Sequence, residues 1–455
     1  MRMTDTPTPA LDRLLQLLER PDPLADVDFD LEAAQLDAVR ERFADHRARI
    51  VLVDKRATDT GIDSVESLAD VVPLLFSHTA YKSYPESFVT AGRWDRLLAW
   101  LQTLSAVPVG HIDVSGVTDV DGFVERLDAA GSHLLTSSGT SGKPSFLQQS
   151  DLDVERGAQI LTALWGSPPR IPRSREHRVV QLGPARGPAR LVYAHRAKSD
   201  AWSRPGASHA FEDEPLRLSE IMAVAKLRKR VAAGEATPGE LADFESEAAV
   251  RRIRMDKALH DLVDVILENR GEPMLLTGLW RQLWDLVEIA RERGIPDGTF
   301  HPDSVVGGAG GLKGAVLPED YEAQTRAFFA PARFVKVYGC SELASSSPIC
   351  EAGRYHVPPT LVLLMLSDDG ETLLPRHAGP VTGRVGFFDP ALDSRWGGLV
   401  TGDRATADFG RCECGRPGPT IEDSVVRYSE LGQGDDDRLL CSGTIDAYIR
   451  GLVRE

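Results

Sequence analysis

One stretch, Thr136-Ser137-Ser138-Gly139-Thr140-Ser141-Gly142-Lys143-Pro144-Ser145, gathers hydroxyls, glycines and a single lysine. Glycine lets backbone amides approach a ligand closely, hydroxyls donate hydrogen bonds, and the lysine adds a point charge. Such a segment is suited to wrapping oxygen anions, and equally to making a flexible turn. It is not a Walker loop, which needs glycine where Ser137 stands and Ser or Thr where Pro144 stands. Downstream, Glu342 closes Tyr338-Gly339-Cys340-Ser341-Glu342 and Asp403 closes Thr401-Gly402-Asp403. A carboxylate can hold Mg²⁺ or accept hydrogen bonds from a sugar diol, while a solvated loop acid and a helix cap are the plainer readings of these two. A third set is soft: Cys350 with His356, and Cys412 with Cys414. Three thiols and an imidazole complete a tetrahedral zinc shell, but spacing alone leaves buried, unliganded cysteines open. His133, just ahead of the hydroxyl-rich stretch, could touch phosphate or carboxylate or be satisfied structurally.

The whole chain narrows the classes. Its 455 residues carry 52 basic and 68 acidic side chains, a net charge of −16. That balance repels phosphodiester backbones, so nucleic acid is not an expected partner. With 42% hydrophobic and 26% charged residues the chain can bury a core, which excludes whole-chain disorder. Apolar runs such as Leu361 to Leu366 fall far short of the roughly 20 residues a bilayer span requires, so no membrane partner is expected. The polar start lacks the apolar core of a secretory signal, and five cysteines do not suggest a disulfide framework. A cytoplasmic location is the expectation.

Periodicity supplies the elements. Residues 1–130 read as amphipathic helices, a cover for the core. Residues 131–149 read as strand, loop, strand, and Pro168 to Arg178 as an exposed loop. Val179 to Leu182 and Leu191 to Tyr193 are short strand candidates, and Leu216 to Asn269 predicts two or more helices broken between Gly234 and Gly239. Met274 to Thr277 predicts a strand. Leu279, Leu283, Leu286, Val287 and Ala290 share one helix face. A strand from Ser304, a helix over Pro318 to Phe329 and a strand at Phe334 to Val337 complete an alternation that implies a parallel sheet. Ligands bind such sheets beyond the carboxyl ends of the strands, where Gly307 to Gly311 and Tyr338 to Glu342 fall. The expected domains are the helical cover 1–130, a core over 131–345 and a β-rich, zinc-stapled subdomain over 346–455. Trp280 and Trp284 suit core and pocket wall alike.

The string from Thr136 to Pro144 resembles the phosphate loop of the adenylate-forming superfamily, the acyl-CoA synthetases and adenylation domains. Tyr338 to Glu342 resembles its Tyr-Gly-x-Ser/Thr-Glu motif and Thr401 to Asp403 its Thr-Gly-Asp motif, in the family's order. The resemblance implies an α/β fold: a large N-terminal domain with parallel and mixed sheets flanked by helices. It implies an ATP- and Mg²⁺-dependent ligase that activates a carboxylic acid as its acyl-adenylate, releases pyrophosphate, and passes the acyl group to CoA, a carrier protein or an amine. Carried over by position, Thr136, Ser137, Ser138, Gly139, Thr140, Ser141, Gly142 and Lys143 would hold phosphate. Gly308, Ala309, Gly310, Tyr338, Gly339 and Ser341 would line the nucleotide, Glu342 would hold Mg²⁺, and Asp403 would bind ribose. The acid pocket would be walled by the segments after Tyr193, around Leu279 to Trp284 and after Gly307. Cys-x5-His followed by Cys-x-Cys-Gly-Arg resembles the phenylacetate-CoA ligase relatives, which implies a structural Zn²⁺ on Cys350, His356, Cys412 and Cys414.

The family continues past a Gly-Arg-x-Asp-Asp hinge into a small mobile domain that brings a catalytic lysine. Here Gly443-Thr444-Ile445-Asp446 resembles the hinge with Thr444 in place of Arg, and 455 − 446 = 9 residues remain. The small C-terminal domain is therefore expected to be absent. Lys143, Lys313 or a separate subunit would have to meet the charge, since losing one preorganised donor costs about 3–4 kcal/mol of transition-state stabilisation. Acyl-protein synthetases of the bacterial luciferase system also resemble the chain, which makes self-acylation at Cys441 an alternative. A catalytically inactive nucleotide-binding or scaffold subunit is another.

Overall fold

The computed structural model describes residues 9–136, 143–167, 169–309 and 316–431. The chain divides into two compact units, one of 1–137, 145–170 and 338–455, the other of 138–144 and 171–337.

The second unit is built on a five-stranded parallel sheet in the order Ser203–Phe211, His177–Pro184, Met274–Leu279, Val305–Ala309, Arg333–Val335. Two neighbouring strands carry its β-branched and leucine runs, with Val179, Val180 and Leu182 of one and Leu275 and Leu276 of the other all buried. The helix Trp280–Glu292 follows its strand directly and presents Leu283, Leu286, Val287 and Ala290, fully buried at the offsets of one face. The helix Pro238–Glu268 begins at a capping box in which Thr237 and Glu240 satisfy one another's backbone amides, with Pro238 in the first turn. At its other end Val263, Ile266 and Leu267 join the core cluster that holds Val180 and Leu276 of the sheet.

Three expectations are corrected in this unit. The segment read as an exposed loop from Pro168 to Arg178 buries Ile171, and its last two residues, His177 and Arg178, open the strand His177–Pro184. Leu191 to Tyr193 is not a strand but the first turn of the helix Arg190–Trp202, because three apolar residues do not distinguish the two periods. Gly307 to Ala309 does not open a loop: these residues are the last three of the strand Val305–Ala309, paired with Thr277 to Leu279. Gly308 is held there by Trp280, whose ring atoms would lie 2.7 Å from any Cβ at that position. Both Trp280 and Trp284 are buried core residues, and the Trp280 ring lies parallel to Phe334 at 6.4 Å.

The first unit holds a seven-stranded, mostly antiparallel sheet. Its main path runs Arg354–His356, Thr420–Glu422, Gly398–Asp408, Pro380–Phe388, Val362–Leu366. The N-terminal helices do more than cover it, since the segment between them gives Phe76 and Ser77 to the sheet, parallel to Leu399 and Val400. The helix Leu31–Arg49 is anchored through Gln35 to the carbonyls of Pro359 and Leu361 and through Arg42 to that of Pro390. A separate hairpin pairs His133–Thr136 with Phe146–Gln149, Thr136 opposite Phe146. No helix among the described residues is long and apolar enough to cross a membrane.

Gly308→Ala should force the Trp280 ring aside and destabilise the fold by about 1–3 kcal/mol, read as a lowered midpoint in denaturant unfolding.

Candidate functional site

Within the first unit, the segments ending in Glu342 and Asp403 meet. Asp403 lies inside the strand Gly398–Asp408, neither in a loop nor at a helix cap. Its Oδ2 accepts from the Tyr338 hydroxyl at 2.8 Å, and its Oδ1 from Arg427 Nε at 2.9 Å. Burial and then the neighbouring Asp403 carboxylate push the Tyr338 phenol well above its ordinary range, so it stays a donor. A carboxylate offers about four lone-pair sites, so two acceptor sites on Asp403 remain for a ligand. The Thr401 hydroxyl receives the Asp403 amide at 3.1 Å and donates to the Val385 carbonyl, where the pairing of the two strands shifts register. Gly339 is packed close to Ser346, 3.1 Å from where a Cβ would stand.

Glu342 is half-buried, and its backbone is fixed by a residue the sequence did not single out. Arg395, 1% exposed, donates to the Glu342 carbonyl at 3.2 Å and to the Gln148 carbonyl at 2.9 Å. Gln148 belongs to the strand that follows the hydroxyl-rich stretch, so one guanidinium ties that hairpin to the Glu342 segment. Directly after Glu342, the amides of Ala344 and Ser345 donate to Asp389 Oδ2 at 2.9 and 3.0 Å. Burial raises the Asp389 carboxyl, with these amide donors working against it. Ser341 and Cys340 are half-buried, and Cys340 packs against the sheet core.

Of the residues the resemblance assigns to phosphate, Thr136 ends its strand 4% exposed and Lys143 is half-buried, while Ser137, Ser138, Gly139, Thr140, Ser141 and Gly142 lie outside the described residues. So do Gly310, Lys313 and Cys441. His133 bridges Asp128 at 2.5 Å and Asp151 at 2.8 Å, a structural role; burial opposes its proton, but the two carboxylates prevail and raise its pKa.

The soft ligands do assemble. The donor atoms of Cys350, His356, Cys412 and Cys414 all lie within 4.8 Å of one another, with Cys350 Sγ 3.9 Å from Cys412 Sγ and Cys414 Sγ 3.2 Å from His356 Nε2. Tetrahedral bonds of about 2.3 Å to sulfur give edges of about 3.8 Å, so the cage has the size a metal ion needs. Two matching turns make it. The Gly353 amide returns to the Cys350 carbonyl and the Gly415 amide to the Cys412 carbonyl, each glycine at positive φ, 71° and 87°. Burial, then Arg416, lowers the His356 pKa and keeps its ring neutral, the form that ligates.

In the second unit, the sequence missed a buried amine. Lys198, 3% exposed, donates from Nζ to Thr277 Oγ1 at 2.7 Å, and burial lowers it to about 7. It lies after Tyr193 on the helix Arg190–Trp202, in a segment the resemblance assigns to the acid pocket, but a lone Lys on a helix carries no sequence signal of burial. His195, one turn earlier, is held neutral with a pKa of about 4 by burial and by Lys198.

No family model matches the chain, and no curated protein does. Similar solved structures include an ATP-bound MatB from Rhodopseudomonas palustris, 13% identical over 65% of this chain and 48% of its own, TM-score 0.37. The o-succinylbenzoate CoA synthetase MenE from Bacillus subtilis, bound to a product analogue, is 13% identical over 66% and 52%, TM-score 0.37. The adenylation domain of a keto acid-selecting NRPS module, bound to a keto acyl adenylate, is 11% identical over 92% and 83%, TM-score 0.34. The chain thus spans about half the length of the first two. Likeness at these scores carries no argument, and the functional reading rests on the chain's own residues.

Because the folded chain holds Lys198 at about 7, the unfolded chain, at 10.5, binds the extra proton between those values, and stability rises with pH across that window. Lys198→Met should remove that rise and melt higher than the unaltered chain at pH 7 and below; thermal melts from about pH 6 to 10 read both.

Proposed function

We propose that the chain is an adenylate-forming ligase, which activates a carboxylic acid with ATP and passes the acyl group to a thiol of CoA or a carrier protein, or to an amine. The observation that carries this reading is the hydrogen bond from Tyr338 to Asp403, which joins two motif segments 65 residues apart. Asp403 keeps free acceptor sites for a ribose diol, and an ionised acceptor makes hydrogen bonds roughly twice as strong as a neutral one. Glu342, its backbone fixed by Arg395, is the residue we assign to Mg²⁺. The ion supplies positive charge where two anions, carboxylate and α-phosphate, are brought together. The resemblance assigns Thr136 to Lys143 to the phosphates, and Tyr338, Gly339 and Ser341 to the base. Lys143 and Lys313, or a lysine from a separate subunit, would offset charge on the leaving pyrophosphate.

For the Cys350, His356, Cys412 and Cys414 cage we propose zinc, because three thiolates and a neutral imidazole are its donor set. Four protein ligands leave no position for substrate, so the ion would staple two turns and stabilise the fold.

Acid-dependent ATP–pyrophosphate exchange tests the activity, run over aryl, fatty and amino acids with CoA or carrier protein added or omitted. One acid class should give exchange, and Asp403→Asn should cut it roughly 10- to 100-fold through a weaker ATP interaction, the loss expected for one charged hydrogen bond. No exchange with any acid, or an unchanged Asp403→Asn, contradicts the reading. Elemental analysis should find one zinc per chain, lost together with several degrees of melting temperature in Cys412→Ser; a metal-free chain with an unchanged melt contradicts the staple.

A further inference from the structure

The helices Leu218–Ala232 and Pro238–Glu268 stand apart from the rest of their unit in how little they bury. Leu218 is the one buried residue of the first, and the second buries Leu262, Val263, Ile266 and Leu267, all in its last two turns. Ion pairs of Arg230 with Glu240 and of Arg251 with Glu220 tie the two helices together. Along Pro238–Glu268, Leu241, Phe244, Ala248 and Met255 are half-buried on the side that faces inward. On the opposite side, Ala242, Ser246, Ala249, Val250 and Ile253 recur at offsets 0, 4, 7, 8 and 11, one continuous face. All five are exposed, Val250 by 54% and Ile253 by 70%.

Charge is segregated along the same helix. Its first half holds Glu240, Asp243, Glu245 and Glu247 with no base; its next two turns hold Arg251, Arg252, Arg254 and Lys257 with Asp256 as the single acid. This pattern is complementary to itself when reversed. Two copies crossing antiparallel at Ala249 set Ile253 of one against the small Ser246 of the other. The same crossing brings Glu245 of each beside Arg252 of the other, and Glu247 beside Arg254. Arg254 already pairs with Glu214 in its own chain, whereas Asp243, Glu245, Glu247 and Arg252 make no ion pair among the described residues.

We propose that this face is a self-association surface: two copies of the chain pair through antiparallel Pro238–Glu268 helices. Closed two-fold pairing uses the same patch on both partners, which is what a single helix with reversed charge halves provides. An unrelated partner would need no such internal symmetry.

Sedimentation velocity of the full chain, 49.6 kDa per copy, tests it. The chain should sediment as a dimer that Ile253→Asp, an exposed change that leaves the circular dichroism intact, converts to monomer. Glu245→Arg and Arg252→Glu each turn two symmetry-related attractions into repulsions, so each should weaken the dimer, by roughly tenfold at low salt. Mixed one to one, the two variants should recover it as a heterodimer. A wild-type chain that stays monomeric at its highest soluble concentration, or a dimer indifferent to all three substitutions, overturns the proposal. The outcome is independent of whether the chain forms adenylates.

Discussion

A guanidinium taken out of water must be surrounded by acceptors, and Arg395 is surrounded by those of distant segments. It donates to the backbone of Gln148 and of Glu342, and its charge lies close enough to Asp153 and Asp389 to bear on both carboxylates. Asp153 in turn accepts from the amides of Asp393 and Ser394, the two residues that lead the chain into Arg395. Each member of this network is costly to bury alone, and each meets these partners only in one arrangement. The hairpin that bounds the hydroxyl-rich stretch and the segment that carries Glu342 therefore hold one relative position. The chemistry assigned to Glu342 depends on that fixity more than on its own contacts.

The Cys350, His356, Cys412 and Cys414 cage rests on the same kind of constraint at the edge of the sheet. Its two turns sit beside the paired strands Arg354–His356 and Thr420–Glu422, so sheet register alone brings His356 toward the Cys412 turn. Arg411 with Asp26 and Arg416 with Asp22 then fasten the N-terminal segment against that turn. A cross-link here would hold strand, turn and helical cover together without touching substrate.

Much of this was legible in the sequence where side-chain period and length agree. The face Leu283 to Ala290 and the strand–helix alternation from Met274 onward fold as their patterns require, but Leu279, read as part of that face, ends the strand and is exposed, and the break read from Gly234 to Gly239 closes earlier, at Pro238. Legibility failed where tertiary packing decides. Leu191 to Tyr193 is too short to carry a period, and Gly307 to Ala309 has the composition of a loop but is drawn into the sheet by its pairing with Thr277 to Leu279. The four soft ligands were visible as a donor set, while their convergence was not, because it depends on strands distant in sequence coming into register, Tyr355 opposite Ile421. Arg395 and Lys198 left no trace at all, since long cationic side chains are ordinarily solvated and nothing in their neighbours' identities marks these two as buried.

Hydrogen exchange of the backbone with and without Mg²⁺–ATP bears most directly on the central claim, that Tyr338, Glu342 and Asp403 belong to one nucleotide site. The account predicts that ATP slows exchange in the peptides spanning 338–345 and 400–404 together. Protection confined to other segments, or no protection at saturating nucleotide, would contradict it.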